Sequence, residues 1–135
     1  MKKLILLVVS LSLSFGAILW AQDSDKAMSE ALNKVSQAIK EGNASGVGAY
    51  FGSSVSLDIS GSESMYSKDQ AVQVLKSFFS ANRPKSFTTP YKSGQNIKYA
   101  VGTLQTQGGG SFRVSIFVKQ EDGKAQVQRI IIEKE

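Results

Sequence analysis

The sequence predicts an α+β domain in which N-terminal helices pack on a curved antiparallel sheet. In the first half of the chain, apolar residues recur every three and four positions, as on one face of a helix. In the second half, apolar and polar residues alternate between turn-forming residues, which is typical of half-buried strands. Helices gathered before a run of strands indicate the α+β class. A chain of 135 residues is long enough for one such domain and too short for two.

The first 21 residues have the three-part layout of a secretory signal peptide. Lys2 and Lys3 precede an uncharged apolar run that ends at the small residue Ala21. We therefore expect residues 1–21 to be removed and residues 22–135 to form the single domain of an exported protein, periplasmic or secreted. The alternative is an uncleaved anchor, because the run is close to the length that spans a bilayer. After cleavage we expect no stable membrane insertion.

The first predicted helix covers residues 27–41. Its apolar stripe consists of Met28, Ala31, Leu32, Val35, Ala38 and Ile39. Gly42 and Asn43 supply the stop, because both tolerate the left-handed conformation at a helix C-terminus. A short second helical turn is expected next, with Val47, Tyr50 and Phe51 as its apolar anchors.

A strand and a further helix come next. Residues 54–60 alternate between apolar and polar side chains and predict a half-buried strand. Residues 61–64 are expected to form a turn. Ser67 and Gln70 then have the spacing of a capping box, so a helix should begin there and end before Pro84.

The chain after Pro84 predicts strands. Residues 86–92 form an edge strand or a bulged one, because Pro90 cannot donate to a sheet ladder. Residues 97–106 and 112–118 form two longer strands joined by a hairpin loop at residues 107–110. Asp122 and Gly123 are a two-residue hairpin signal, and residues 127–133 close the sheet.

Several stretches of the chain carry a resemblance to a known family. They are the first helix with its Gly42-Asn43 end, residues 55–59, residues 66–71, Phe78-Phe79 with Pro84, residues 99–104 and residues 112–114. With these the chain resembles the nuclear-transport-factor-2-like, cystatin-like α+β roll. Within that superfamily it resembles small exported bacterial proteins defined by a domain of unknown function (DUF4783).

The resemblance implies two classes of function. Enzymes of the superfamily, such as dehydratases, isomerases and cyclases, work in a pocket between the helices and the sheet, usually with Asp paired to His or Tyr. Other members are non-catalytic binding or dimerisation domains. This chain has no histidine and no match to a catalytic motif, and that departure favours the non-catalytic class.

Composition narrows the chemistry further. Without histidine or cysteine the chain lacks imidazole bases, thiol nucleophiles and the usual ligands of zinc, iron and haem, so we expect neither cofactor nor metal. The formal net charge is +5, but the basic residues after Lys3 never occur side by side. No basic stripe can follow a phosphate backbone, so a nucleic-acid partner is not expected.

The candidate ligand-binding residues are Asp58, Tyr66 and Tyr99. Asp58 is a carboxylate inside the predicted strand of residues 54–60, and it would act as a general base if it lay in an apolar cavity. The alternative places Asp58 on the solvent face of that strand. The tyrosine hydroxyls, with that of Tyr50, are candidate donors to a developing oxyanion, whereas ordinary packing is the commoner role of a buried tyrosine.

The candidate interface residues are Arg113, Ser115, Phe117 and Arg129. In the predicted hairpin the helix-facing side of the sheet carries Ala100, Gly102, Leu104, Phe112, Val114 and Ile116. The opposite side then carries Tyr99, Val101, Thr103, Arg113, Ser115, Phe117 and Arg129. Aromatic residues and Arg are enriched at protein interfaces, so this side fits a dimer interface. An ordinary amphipathic outer face, or an anion site at the two arginines, are the alternatives.

These observations predict an exported, non-catalytic domain that binds a small hydrophobic ligand or another protein. The expected partners are a second copy of the chain, as a homodimer, or an envelope protein. One alternative is a lyase or isomerase that uses Asp58 and a tyrosine in a pocket between the helices and the sheet, and a third possibility is a purely structural component of the envelope.

Overall fold

The structure, a computed structural model, describes residues 24–135 apart from the side chains at positions 90 and 91. The predicted signal peptide lies outside these residues. Within this part of the chain, helix α1 covers residues 24–41, α2 covers Ala44–Gly48 and α3 covers Lys68–Ala81. The strands are β1 (Phe51–Ile59), β2 (Ser62–Ser67), β3 (Pro84–Ser93), β4 (Ile97–Thr106), β5 (Ser111–Glu121) and β6 (Lys124–Lys134). None of the helices between residues 24 and 135 has the length and apolar character needed to cross a membrane.

Helix α1 confirms the predicted stripe and stop. All six predicted apolar residues of the stripe are buried. Gly42 has a φ of +68°, and its N–H donates to the carbonyl of Ile39 at 3.0 Å. The N–H of Asn43 donates to the carbonyl of Ala38 at 2.8 Å. These two bonds form a Schellman motif, which satisfies the last carbonyls of the helix and turns the chain into α2.

Helix α3 begins at the predicted capping box. The Ser67 hydroxyl accepts from the N–H of Gln70 at 3.4 Å, and the Gln70 side-chain oxygen accepts from the N–H of Ser67 at 3.3 Å. The helix buries Ala71, Leu75, Phe78 and Phe79. The ring of Phe78 meets that of Phe112 edge to face, with centroids 5.2 Å apart, so α3 is packed directly on β5.

Within residues 24–135 the sheet has six strands, in the order β2-β1-β6-β5-β4-β3. Every neighbouring pair is antiparallel except β1 and β6, which run parallel. The α+β class, with helices packed on a mostly antiparallel sheet, is confirmed. β5 and β6 form a hairpin, and in a simple meander β6 would lie at an edge of the sheet. Here β6 lies beside β1 and runs parallel to it.

Two local expectations are corrected by the structure. The predicted turn at residues 61–64 is shorter: only Ser60 and Gly61 lie in the turn, both with positive φ, and β2 begins at Ser62. Phe51 does not anchor the second helix but begins β1, where its buried side chain joins the core. The glycines around residues 46–52 end α2 early and release the chain into a strand.

The core lies between the helices and one face of the sheet. Its most deeply buried side chains are Leu57, Leu75, Leu104, Ile116, Ile130, Val35, Val47, Val55, Val114, Val118 and Val127. The predicted helix-facing residues of β4 and β5 are all buried there, which confirms their assignment. The opposite side of the sheet, hereafter the outer face, is covered by none of the helices between residues 24 and 135.

Candidate functional site

Strand register brings alternate residues of five strands into rows on the outer face. One row runs across the sheet from Met65 through Ser56, Arg129 and Phe117 to Tyr99. The next row runs from Glu63 through Asp58, Ile131 and Ser115 to Val101. Side chains in one row stand about 5 Å from their cross-strand neighbours, so each row is a continuous surface.

The middle of this surface is apolar. The rings of Tyr99 and Phe117 stack with centroids 5.9 Å apart and planes inclined by 28°. Val101 and Ile131 lie half-buried in the adjacent row, on either side of Ser115, which is only 9% exposed. Met65, on β2, is 66% exposed and is the most exposed large apolar side chain among the described residues. The outer face therefore presents an apolar strip over β4, β5 and β6, and Ser56 and Asp58 of β1 separate this strip from Met65.

Charged pairs flank this strip. Arg129 Nη2 lies 3.3 Å from Glu63 Oε1, which also accepts a 3.0 Å hydrogen bond from the Ser56 hydroxyl. Arg113 Nε lies 3.7 Å from Glu133 Oε2 on the neighbouring strand. Each arginine is matched to a glutamate of its own chain, and four residue positions of β5 separate Arg113 from Phe117, the neighbour of Arg129. The two guanidinium groups therefore do not converge on one anion.

The four predicted interface residues share the outer face. Arg113, Ser115 and Phe117 alternate along β5, and Arg129 lies beside Phe117 on β6. The structure thus brings them together in the arrangement from which an interface was predicted. Whether a partner binds there stays a prediction.

The three predicted ligand-binding residues are not brought together. Tyr66 pairs with Val55 and packs against the core, on the helix side of the sheet. Asp58 lies on the outer face, where its Oδ1 accepts a 3.2 Å hydrogen bond from the N–H of Gly61 in the β1–β2 turn. Tyr99 also lies on the outer face, but β6 and β5 separate it from Asp58. Three strand spacings place these two residues about 14 Å apart, too far to act on one proton.

Cavities occur at the ends of the helices. One, of about 520 Å³, is lined by residues that include Glu41, Lys76 and Arg83, near the C-terminal ends of α1 and α3. Another, of about 510 Å³, is lined by residues that include Met28 and Gln120, near the start of the described part of α1. Neither cavity includes a candidate ligand-binding residue. Between residues 24 and 135, no three carboxylate, imidazole or thiol side chains are grouped so that they could hold a metal ion.

Sequence reasoning missed three residues of the outer face. Glu63 and Met65 were assigned to a turn or to its flank, since β2 has too few apolar residues to show an alternating pattern. Ile131 lies in the run Ile130-Ile131-Ile132, where apolar residues occupy both faces of the strand. These three consecutive isoleucines indicate that both faces of β6 are apolar, because a strand with one solvated face normally alternates between apolar and polar residues.

Comparison with known proteins gives a consistent family and fold. The model of the family described as domain of unknown function (DUF4783) matches residues 32–133. A DUF4783 family protein from Bacteroides uniformis is 29% identical, with a TM-score of 0.72 over 76% of this chain and 95% of that one. One from Bacteroides fragilis is 28% identical, with a TM-score of 0.71 over 76% and 96%.

More distant structures share the fold alone. A nuclear-transport-factor-2-like protein of unknown function from Shewanella baltica is 14% identical, with a TM-score of 0.63 over 84% of this chain and 94% of that one. None of the curated proteins matches the chain.

Proposed function

This chain belongs to the DUF4783 family, and from that premise we propose that it is an exported, non-catalytic domain whose outer sheet face binds an envelope protein. The observation that carries the proposal is the contiguous apolar strip of Tyr99, Phe117, Val101 and Ile131 between two flanking ion pairs. An apolar centre with a polar, charged rim is the usual anatomy of a protein–protein interface.

The energetics of the strip favour burial against a partner. The aromatic pair and the two aliphatic side chains are only half-buried, so apolar area remains in contact with water. Covering such area contributes roughly 25 cal/mol per Å², and large rigid aromatic side chains commonly dominate the binding energy of an interface. Phe117 stacks on Tyr99 and is the cross-strand neighbour of Arg129, so it is the expected anchor.

The rim would contribute orientation more than affinity. The Arg129 and Glu63 side chains are 41% and 51% exposed, and exposed pairs contribute at most about 1 kcal/mol to stability. The Nε of Arg129 is buried and has no hydrogen-bond partner among the described residues. A partner would instead meet the exposed part of the Arg129 guanidinium group, which can donate to a carboxylate or carbonyl at the edge of the strip.

The separation of the polar candidates also supports a binding function over the lyase or isomerase alternative. Acid–base chemistry needs two groups within hydrogen-bond reach of one substrate, and Asp58, Tyr66 and Tyr99 lie on different faces or different strands. The small-ligand alternative stays a prediction. Tyr66 lines an open groove of about 400 Å³ beside α3, but neither Asp58 nor Tyr99 lines that groove, and the two cavities described above contain none of the three residues.

The proposal is tested with a photoreactive residue substituted at Val101, on the outer face, or at Lys40, exposed on α1. Irradiation of living cells should give one discrete adduct from position 101 and none from position 40. Phe117→Glu should reduce the yield of that adduct at least tenfold, because it inserts a charge into the apolar strip.

The matched control is Ser45→Glu, which adds the same charge at an exposed position on the helix side. It should leave the adduct unchanged, and both variants should keep the circular dichroism of the wild type. Equal adducts from positions 40 and 101, or an adduct that survives Phe117→Glu in a folded protein, would contradict the proposal.

A further inference from the structure

The two edges of the sheet differ in how they are protected. Edge strand β3 contains Pro84 and Pro90, which have no N–H, and its pairing with β4 shifts register twice. Edge strand β2 contains no proline and no lysine, and its pairing with β1 runs without a shift over six residue pairs. Prolines, lysines and bulges are among the devices that prevent an edge from pairing with another strand, and β2 has none of these three.

The hairpin turn determines which backbone groups of β2 point outward. Ser60 and Gly61 form a two-residue turn with positive φ at both positions, so the closing pair, Ile59 and Ser62, is hydrogen-bonded. Ser62, Ser64 and Tyr66 therefore direct their backbone groups to β1, and the residues between them direct theirs away from the sheet. The N–H of Ser60 donates to Ile132 on β6 at 2.8 Å, as this alternation requires.

The open part of the edge is confined to two residues. At its C-terminal end the N–H of Ser67 is held by the Gln70 side chain. At its N-terminal end the turn ends the strand. The N–H and C=O groups of Glu63 and Met65 remain, and no turn, cap or side-chain hydrogen bond found among residues 24–135 reaches them.

We propose that a second copy of this chain pairs its own β2 with these four groups, antiparallel, about a two-fold axis at Ser64. In that register Glu63 lies opposite Met65 of the second copy, and Met65 lies opposite its Glu63. Each of these pairs exchanges two hydrogen bonds, so all four outward groups of both copies are satisfied. The side chains of Glu63 and Met65 both lie on the outer face, so the paired residues of the two copies share one face of the joined sheet, as strand pairing requires.

Two features favour a second copy over an unrelated extended peptide. The second copy presents an edge of the same length, so the outward donors and acceptors of both edges are all paired, whereas a longer peptide would leave some of its own unpaired. Next to the edge, an open groove of about 400 Å³ is lined by Tyr66, Asp69, Gln70, Gln73 and Val74. In the paired sheet Ser62 of the second copy stands opposite Tyr66, and its small side chain leaves that groove unobstructed.

The pairing goes beyond the proposed function and does not depend on it. It joins the two sheets edge to edge and leaves both outer faces open. A partner bound at the outer face and a second copy bound at β2 therefore occupy different surfaces of the domain.

The first test uses single cysteines, since the chain contains none. Ser64→Cys places two thiols across the axis in a non-hydrogen-bonded pair, with Cα atoms about 4.5 Å apart, a separation that a disulfide can bridge. Ser62→Cys is the matched control, because in the same register the two cysteines would be about 13 Å apart. Under mild oxidation of the purified full chain, Ser64→Cys should give disulfide-linked dimers at least tenfold faster than Ser62→Cys.

The second test removes a main-chain donor without changing the folded domain. Met65→Pro deletes an outward N–H at an edge position, where proline is tolerated, and should weaken self-association at least tenfold in sedimentation equilibrium. Met65→Thr keeps the N–H and should self-associate like the wild type.

Phe117→Glu should leave the Ser64→Cys cross-link intact, so a failure of the outer-face proposal is distinguishable from a failure of the β2 pairing. A monomeric wild type, or equal cross-linking at positions 62 and 64, would overturn the pairing.

Discussion

Gly102 shows how a single residue determines the approach of two strands. It lies on β4 with its face toward the core, opposite the bulged part of the edge strand β3. A Cβ atom at this position would overlap the backbone carbonyl oxygen of Thr88 and lie 2.9 Å from Cε1 of Phe87. The absence of a side chain lets β3 curl over β4 and bury Phe87.

Gly102→Ala is therefore expected to destabilise the domain by about 1–3 kcal/mol, because the overlapping atom is backbone and cannot rotate away. Urea denaturation followed by circular dichroism measures the change in the free energy of unfolding. Gly108→Ala is the matched control, since a Cβ there meets nothing within 4 Å, and it should change that free energy by less than about 0.5 kcal/mol. If the two substitutions cost the same, the close approach of β3 at Gly102 is not needed for stability.

At the scale of elements, the segments with strong local signals were predictable. The stripe of α1, the Gly42 stop, the capping box of α3 and the Asp122-Gly123 hairpin all occur where the sequence places them. Each depends on neighbours within about four residues, so one sequence contains the whole signal. The sequence did not predict strand β2. This strand pairs with β1 alone, and its first four residues are exposed and, apart from Met65, polar, so they show no alternating pattern.

The capping box of α3 gives the prediction that belongs to this scale. Ser67→Ala removes the acceptor for the N–H of Gln70 and should destabilise the domain by about 1 kcal/mol. Ser67→Asp keeps an acceptor and places a negative charge at the helix N-terminus, so it should match the wild type or exceed it. Thermal unfolding of the three proteins, monitored at a helix-sensitive wavelength, orders their stabilities. Equal midpoints for Ser67→Ala and Ser67→Asp would show that the side-chain cap contributes nothing.

At the scale of the whole molecule, the path of the chain was the part that the sequence did not reveal. β6 lies between β1 and β5, so its neighbours are one hairpin partner and one strand about 75 residues away. Local patterns do not encode which distant strand a terminal strand will join. The same gap hid part of the candidate site: the Arg129–Glu63 contact exists only because β6, β1 and β2 are neighbours.

This topology makes β6 the strand on which the cooperativity of the domain depends. Ile130 is 1% exposed and pairs with Leu57 on one side and Ile116 on the other. Ile130→Ala should cost about 2–5 kcal/mol, the range for a large aliphatic residue removed from a core. Ile97→Ala is the control, because Ile97 is 46% exposed and its loss should cost less than about 1 kcal/mol.

Native-state hydrogen exchange distinguishes a loss of global stability from a local one. If β6 joins the β1–β2 hairpin to the rest of the sheet in one cooperative unit, the Ile130→Ala protein should exchange the slowest amides of β1 and of β5 faster by the same factor. Each 1.4 kcal/mol of destabilisation corresponds to a tenfold increase in exchange rate, so the factor should agree with the unfolding free energy measured in urea. Acceleration in β1 and β2 alone, with β5 unchanged, would mean that the hairpin opens independently and that the parallel pair is a separate, weaker unit of the fold.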